Sequence, residues 1–185
     1  MTKILAQLSA INFLGLLAAC ALGMLNWLVP THPEWAYTVS MLHVTVSLLF
    51  AISTLLVHSL IFIYFLGTGR WVKEVALAYK LPDQPLPKLT RELKRLTFPP
   101  ALAAMLVVIA TAAAGMGAFM REWPWPIHAT LACLTLVVNA WAFVIESRAV
   151  TVNAGVIDDV MDEVNRIRAE HGLPTNAEAL HQEHA

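Results

Sequence analysis

Charge is what this chain has least of. Asp, Glu, Lys and Arg make up only 14% of its residues and hydrophobic residues 58%, whereas an ordinary soluble domain is about 25% charged. The shortage is uneven: residues 68–96 and 147–185 hold most of the charge, and the stretches before and between them have almost none. That segregation marks a bilayer-embedded chain with polar connections. A formal net charge of −1 leaves no excess of basic charge for a nucleic-acid backbone, which argues against nucleic acid as a partner. Cysteine is scarce too. Cys20 and Cys133 are the only two, both inside apolar runs, and read as small core residues rather than as a disulfide or a metal site. There is no phosphate-cradling glycine loop, Gly-x-Ser-x-Gly elbow, His-Glu-x-x-His or Cys-x-x-Cys. These absences argue against a self-contained hydrolase or NTPase. No inverted repeat or broken helix within a span points to transport.

What is present is apolar length. Crossing roughly 30 Å of hydrocarbon takes about 20 helical residues, and four runs reach that: 8–29, 39–66, 99–119 and 127–145. Pro30 and Pro33 punctuate the first connection, Gly67 and Gly69 are expected to close the second helix, and Pro99-Pro100 to open the third. Trp27, Trp35, Tyr37, Trp123 and Trp125 gather beside the two short connections as an aromatic belt would. The fold expected is an all-α, integral membrane four-helix bundle over residues 1–147, with an acidic C-terminal helix and tail over 148–185.

Orientation follows from Lys and Arg. The loop 68–96 holds Arg70, Lys73, Lys80, Lys88, Arg91, Lys94 and Arg95, while the short connections hold only Arg121. By the positive-inside rule the loop and both termini face the cytoplasm (N-in, C-in) of a bacterial inner membrane. Leu17-Ala18-Ala19-Cys20 has the form of a lipidation box, but Ala21–Val29 stays apolar where a polar linker normally follows. An uncleaved anchor is therefore expected.

The basic loop divides in two. Trp71, Val72, Val75, Ala76 and Tyr79 recur at helical spacing, predicting a short interfacial helix, read first as a lipid-headgroup anchor and alternatively as a docking site. Residues 81–87 break it. Helix 4 is expected to continue into the cytoplasm to about Glu170, with Gly172 at its C-terminal cap. Its Val152, Val156, Val160, Val164 and Ile167 form a stripe, and Asp158, Asp159, Asp162 and Glu163 an acidic face expected to dock on the basic loop, in this chain or between protomers. His171, His181 and His184 near the end are read as a solvated terminus rather than a metal site.

Chemistry is expected inside the membrane, where ionisable groups are costly and face the bundle interior. At about 100° per residue, His128, Thr135, Asn139 and Glu146 fall within about 20° of one line on helix 4. On helix 2, His43, Ser47 and Thr54 fall within about 40° and His58 within about 60°. Two narrow polar stripes on apolar cylinders are expected to face each other. His43 and His128 then lie at matched depth near the outer surface, and two imidazoles so placed can ligate one haem iron axially. His58 lies further in, within reach of Asn139 or Glu146 as a proton relay or a contact for quinone. Helices 1 and 3 read as packing elements: Asn12, Gly15, Ala19, Gly23 and Asn26 share a face, and Thr111/Gly115 and Ala113/Gly117 place small residues four apart. These faces serve intramolecular packing first and homo-oligomer contacts as an alternative.

In helix count and histidine placement, and in nothing more specific, the plan resembles small membrane b-type cytochromes. That resemblance implies haem b and electron transfer, to a quinone or within a larger membrane complex. The competing expectation is a cofactor-free accessory or assembly subunit, and a third is a proton- or metal-sensing module built on His58 and Glu146. An electron-transfer or accessory subunit is expected before a stand-alone enzyme.

Overall fold

In a computed structural model that describes residues 2–28, 33–176, 178 and 179, the apolar runs become four helices. They are α1 (Thr2–Leu28), α2 (Pro33–Ala78), α3 (Leu86–Phe119) and α4 (Trp125–Glu170). Each is long and apolar enough to cross a membrane. Neighbours in sequence are neighbours in space: α1 packs on α2 and α4, and α3 on α2 and α4. The backbones of α2 and α4 barely touch, so these two lie across a diagonal of the bundle. One end carries the basic connection between α2 and α3; the other carries Trp27, Trp35, Trp123 and Trp125.

The outer surface is what hydrocarbon requires. Leu14, Leu48, Leu56, Ile63, Leu106 and Val137 are each more than half exposed, and no aqueous surface tolerates so wide an apolar belt. Because lipid tails are as apolar as leucine, burial alone does not drive such helices together; close packing of small residues does. Gly15 shows how close. A β-carbon there would lie 2.1 Å from the Phe50 ring, so the aromatic side chain of α2 occupies the place of a missing methyl on α1.

Three expectations about element ends need correction. Gly67 and Gly69 do not stop helix 2, since α2 runs through them to Ala78. Glycine weakens a helix interior by only about 1 kcal/mol, and here tertiary packing beyond the glycines outweighs that. Pro99 and Pro100 do not open helix 3 but lie inside α3. The face that precedes them is buried through Thr90, Leu93 and Thr97, which holds the helix together, while the Arg95 and Leu96 carbonyls left without amide donors belong to exposed residues. The segment 71–79 is not a separate interfacial helix: it is the last two turns of α2 followed by Tyr79 in the turn, and its apolar face is covered by protein. Val72 clusters with Val156, Val160 and Val164 of α4, with Trp71, Val75, Tyr79, Leu81, Leu86 and Leu89 around them.

The extension of α4 behaves as its periodicity implies, with a different adhesive. It ends at Glu170, and Gly172 adopts φ +68°. The Leu173 and Gly172 amides return to the Arg168 and Ala169 carbonyls at 2.9 and 3.0 Å, a left-handed glycine cap. The docking surface is the valine stripe, not charge. Asp158, Asp159 and Asp162 are exposed. Among the described residues the acidic side chains that form ion pairs outside the membrane spans do so within their own segment, as in Glu163–Arg166 and Asp83–Arg91. Val152, at 46% exposure, falls outside the packed stripe.

Apolar docking makes an asymmetric prediction. Burying one valine is worth roughly 1.5–3 kcal/mol, so Val160→Asp should speed limited proteolysis within 71–85 and 150–170 by about tenfold or more. The triple change Asp158→Asn, Asp159→Asn, Asp162→Asn should leave cleavage unchanged. The reverse ranking would show that charge holds the extension.

Candidate functional site

The two polar stripes do meet. Although α2 and α4 are diagonal, their side chains cross the centre of the bundle, and His58 is the bridge. Its Nδ1 lies 2.7 Å from Glu146 Oε1 and its Nε2 lies 3.1 Å from Asn139 Oδ1. His58, Asn139 and Glu146 are all fully buried. One ring face stacks on Phe143, with centroids 5.0 Å apart and planes 11° from parallel. The sequence placed His58 within reach of either partner; it takes both.

Proton positions follow from the bonding pattern. Asn139 Nδ2 donates to the Thr135 carbonyl at 2.8 Å, so the amide presents its oxygen to the imidazole. An amide oxygen only accepts; His58 Nε2 therefore carries a proton. The remaining proton lies on the short line between Nδ1 and Oε1. Either an imidazolium donates to a carboxylate, or a carboxylic acid donates to a neutral imidazole. Both forms keep the same proton count within the pair. Glu146 Oε2 is buried without a hydrogen-bond partner among the described residues, so the carboxyl group has one committed and one open oxygen.

Nearer the tryptophan end, His43 and His128 converge. Their ring centroids are 6.1 Å apart and their planes 68° from parallel. His43 Nδ1 donates to the Ala19 carbonyl of α1 at 3.0 Å, with Ser47 Oγ 3.3 Å from the same nitrogen. His128 Nδ1 donates to the Thr111 carbonyl of α3 at 3.1 Å. Carbonyls only accept, so both neutral rings carry their proton on Nδ1 and leave Nε2 with a free lone pair. Each ring lies on a glycine of a neighbouring helix: a β-carbon at Gly23 would come within 3.0 Å of His43, and one at Gly115 within 2.9 Å of His128. The small-residue faces of α1 and α3 thus make room for imidazoles.

Polar groups link these two levels. Thr111 Oγ1 and Thr135 Oγ1 are 2.7 Å apart, and Thr135 supplies the carbonyl that orients Asn139. Elsewhere in the core Thr54 donates to Asn12 Oδ1 at 3.3 Å, and Asn153 donates to Tyr64 Oη and Thr68 Oγ1, each at 3.1 Å. Sequence reasoning took Thr111 only as a packing residue and passed over Phe143, Tyr64, Thr68 and Asn153. Asn153 had a readable signal, since it extends the Glu146 stripe by two further turns. Phe143 had none.

Among the described residues no group of three or more His, Cys, Asp or Glu side chains could hold a metal ion, which leaves the His43/His128 pair as the site with free imidazole nitrogens. His171 is exposed and bonds back to the Ile167 carbonyl at 2.8 Å; His181 and His184 lie outside the described residues. Cys20 and Cys133 are free thiols within α1 and α4. The chain matches no protein-family model, no curated protein and no solved structure.

Removing one member of a buried pair strands the other, at a cost of about 3–5 kcal/mol, whereas replacing both by apolar residues can be neutral. His58→Leu and Glu146→Leu should each lower stability in mixed-micelle denaturation by that amount. The double variant should recover most of the loss. Additive losses would show that the two side chains are not coupled.

Proposed function

We propose that the chain is a small membrane electron-transfer subunit in which His43 and His128 ligate one haem b. The observation that carries this reading is the convergence of two imidazoles from diagonal helices, each with Nδ1 committed to a backbone carbonyl and Nε2 free. A hydrogen bond from the non-ligating nitrogen to a carbonyl is the usual support of a metal-binding histidine, fixing its tautomer and ring direction. Two metal–imidazole bonds of about 2 Å each, added to the ring radii, span centroids 6.1 Å apart. The donor set therefore fits bis-histidine ligation. Bound there, the haem would supply one-electron exchange. His58 has no nitrogen to spare, so among the described residues the histidines of the spans offer ligands for one such group.

The protein's own part in the chemistry is positional. Ala19, Thr111, Gly23 and Gly115 hold the two half-buried rings. Toward the basic end, His58 and Glu146 hold a proton between them, with Asn139 as a fixed acceptor behind the ring and Glu146 Oε2 as the open oxygen. That arrangement suits the taking up or giving up of a proton by a quinone or quinol. By the positive-inside rule the Lys and Arg distribution supports a reading with the basic end and both termini in the cytoplasm of a bacterial inner membrane, and His43 and His128 near the outer surface.

A second reading, a cofactor-free accessory subunit, draws on the exposed acidic face of Asp158, Asp159 and Asp162, which no cation pairs among the described residues. It requires a partner complex that co-purifies and is lost when those residues are neutralised.

The absorption spectrum separates the two. Protein expressed with ample haem should show a Soret band that His43→Ala and His128→Ala abolish and His171→Ala leaves intact. A folded wild-type protein without that band would end the haem reading.

A further inference from the structure

Between α2 and α3, on the basic-end flank of the bundle, the chain shapes a half-open groove of about 450 Å³. Its floor is apolar, made by Phe65, Leu66 and Pro87, and its walls carry Arg70, Lys73, Arg91 and Lys94. Both features come from helix phase. Phe65 and Leu66 are the last apolar turn of the α2 span, and Arg70 and Lys73 stand one to two turns beyond it. Lys94 and Arg91 descend toward the same level on the antiparallel α3. Two of the cations are partly neutralised: Arg70 pairs with Glu74 at 2.8 Å and Arg91 with Asp83 at 2.6 Å. Arg91 holds the Asp83 carboxyl below the usual carboxylate range, so that pair is intact at neutral pH. Lys73 and Lys94 have no carboxylate partner among the described residues; Lys94 lies 5.7 Å over the Phe98 ring.

We propose that this groove binds the headgroup of an acidic phospholipid. A phosphate at the level of Lys73 and Lys94 meets uncompensated positive charge, and an acyl chain continues down over Leu66, which is 52% exposed. A basic pocket between spanning helices, opening on hydrocarbon below, has the form such lipids recognise. A soluble phosphate would use the cations but leave the apolar floor without an occupant. A zwitterionic lipid brings an ammonium group into a wall of cations. The groove is independent of the haem reading.

The test is lipid retention by the full-length protein in detergent, read by native mass spectrometry with phosphatidylglycerol against phosphatidylcholine. The wild type should retain the anionic lipid preferentially. Since a basic residue near an anionic headgroup is worth about 1 kcal/mol, roughly fivefold, Lys73→Gln/Lys94→Gln should cut the preference by about 25-fold. Lys80→Gln, outside the groove, should not change it. Thermal midpoints of the variants, whose lysine ammonium groups make no ion pair, verify folding, and the wild-type preference stands as a measurement that needs no variant. Equal retention of the two lipids would overturn the proposal. So would an equal effect of Lys80→Gln, which would mean diffuse surface charge, or full displacement of the lipid by millimolar inorganic phosphate, which would mean a free-anion site.

Discussion

A polar side chain carried into hydrocarbon must find its partner inside the protein, because the solvent offers none. In this bundle the demand falls hardest on His58, Asn139 and Glu146. An imidazole with a hydrogen-bond partner on each nitrogen can be satisfied in only one rotation, and that rotation is set from α4 through the Thr135 carbonyl and the Asn139 amide. The pair with Glu146 then ties α2 to α4 across a diagonal where their backbones hardly touch. Apolar contacts between spanning helices can slide by a turn at little cost in lipid. A histidine clamped from both sides cannot, so the triad fixes the register of the two helices that carry every candidate site residue.

The other features follow from that register. With α2 and α4 fixed, His43 and His128 arrive at the same depth, and the glycines of α1 and α3 lie beside their rings. Outside the apolar belt the same two helices meet again, now through Val72 and the valines of α4, where water makes apolar burial a true driving force. One helix pair is thus held by polar chemistry in the membrane and by hydrophobic packing beyond it. Each device is used where the surroundings make it strong.

Much of this was legible in the residues. Four apolar runs of spanning length, polar residues spaced seven, four and seven apart on helix 4 from His128 to Glu146, and small residues sharing a face on helices 1 and 3 are patterns of period and composition, and both survive folding. Less legible were the ends. Gly67, Gly69, Pro99 and Pro100 look like breaks because local propensity disfavours them in helices, yet contacts far away in sequence carry α2 and α3 straight through. The valine stripe was visible and its partner was not, since acidic and basic segments of opposite sign pointed to a charge contact that the packing replaces. That His58 bonds both candidates rather than one depends on ring orientation, which periodicity does not encode.

The register of the bundle rests on a single proton arrangement: His58 protonated on Nε2 toward Asn139, with one further proton shared between Nδ1 and Glu146. Solid-state nitrogen-15 NMR of histidine-labelled protein in bilayers reads it directly. One histidine should show a protonated, deuterium-protected Nε2 and an Nδ1 shift typical of a strong hydrogen bond to a carboxyl group, and Glu146→Gln should move that Nδ1 signal while sparing the others. A spectrum in which every imidazole exchanges freely, or in which Glu146→Gln changes none of them, would contradict the account.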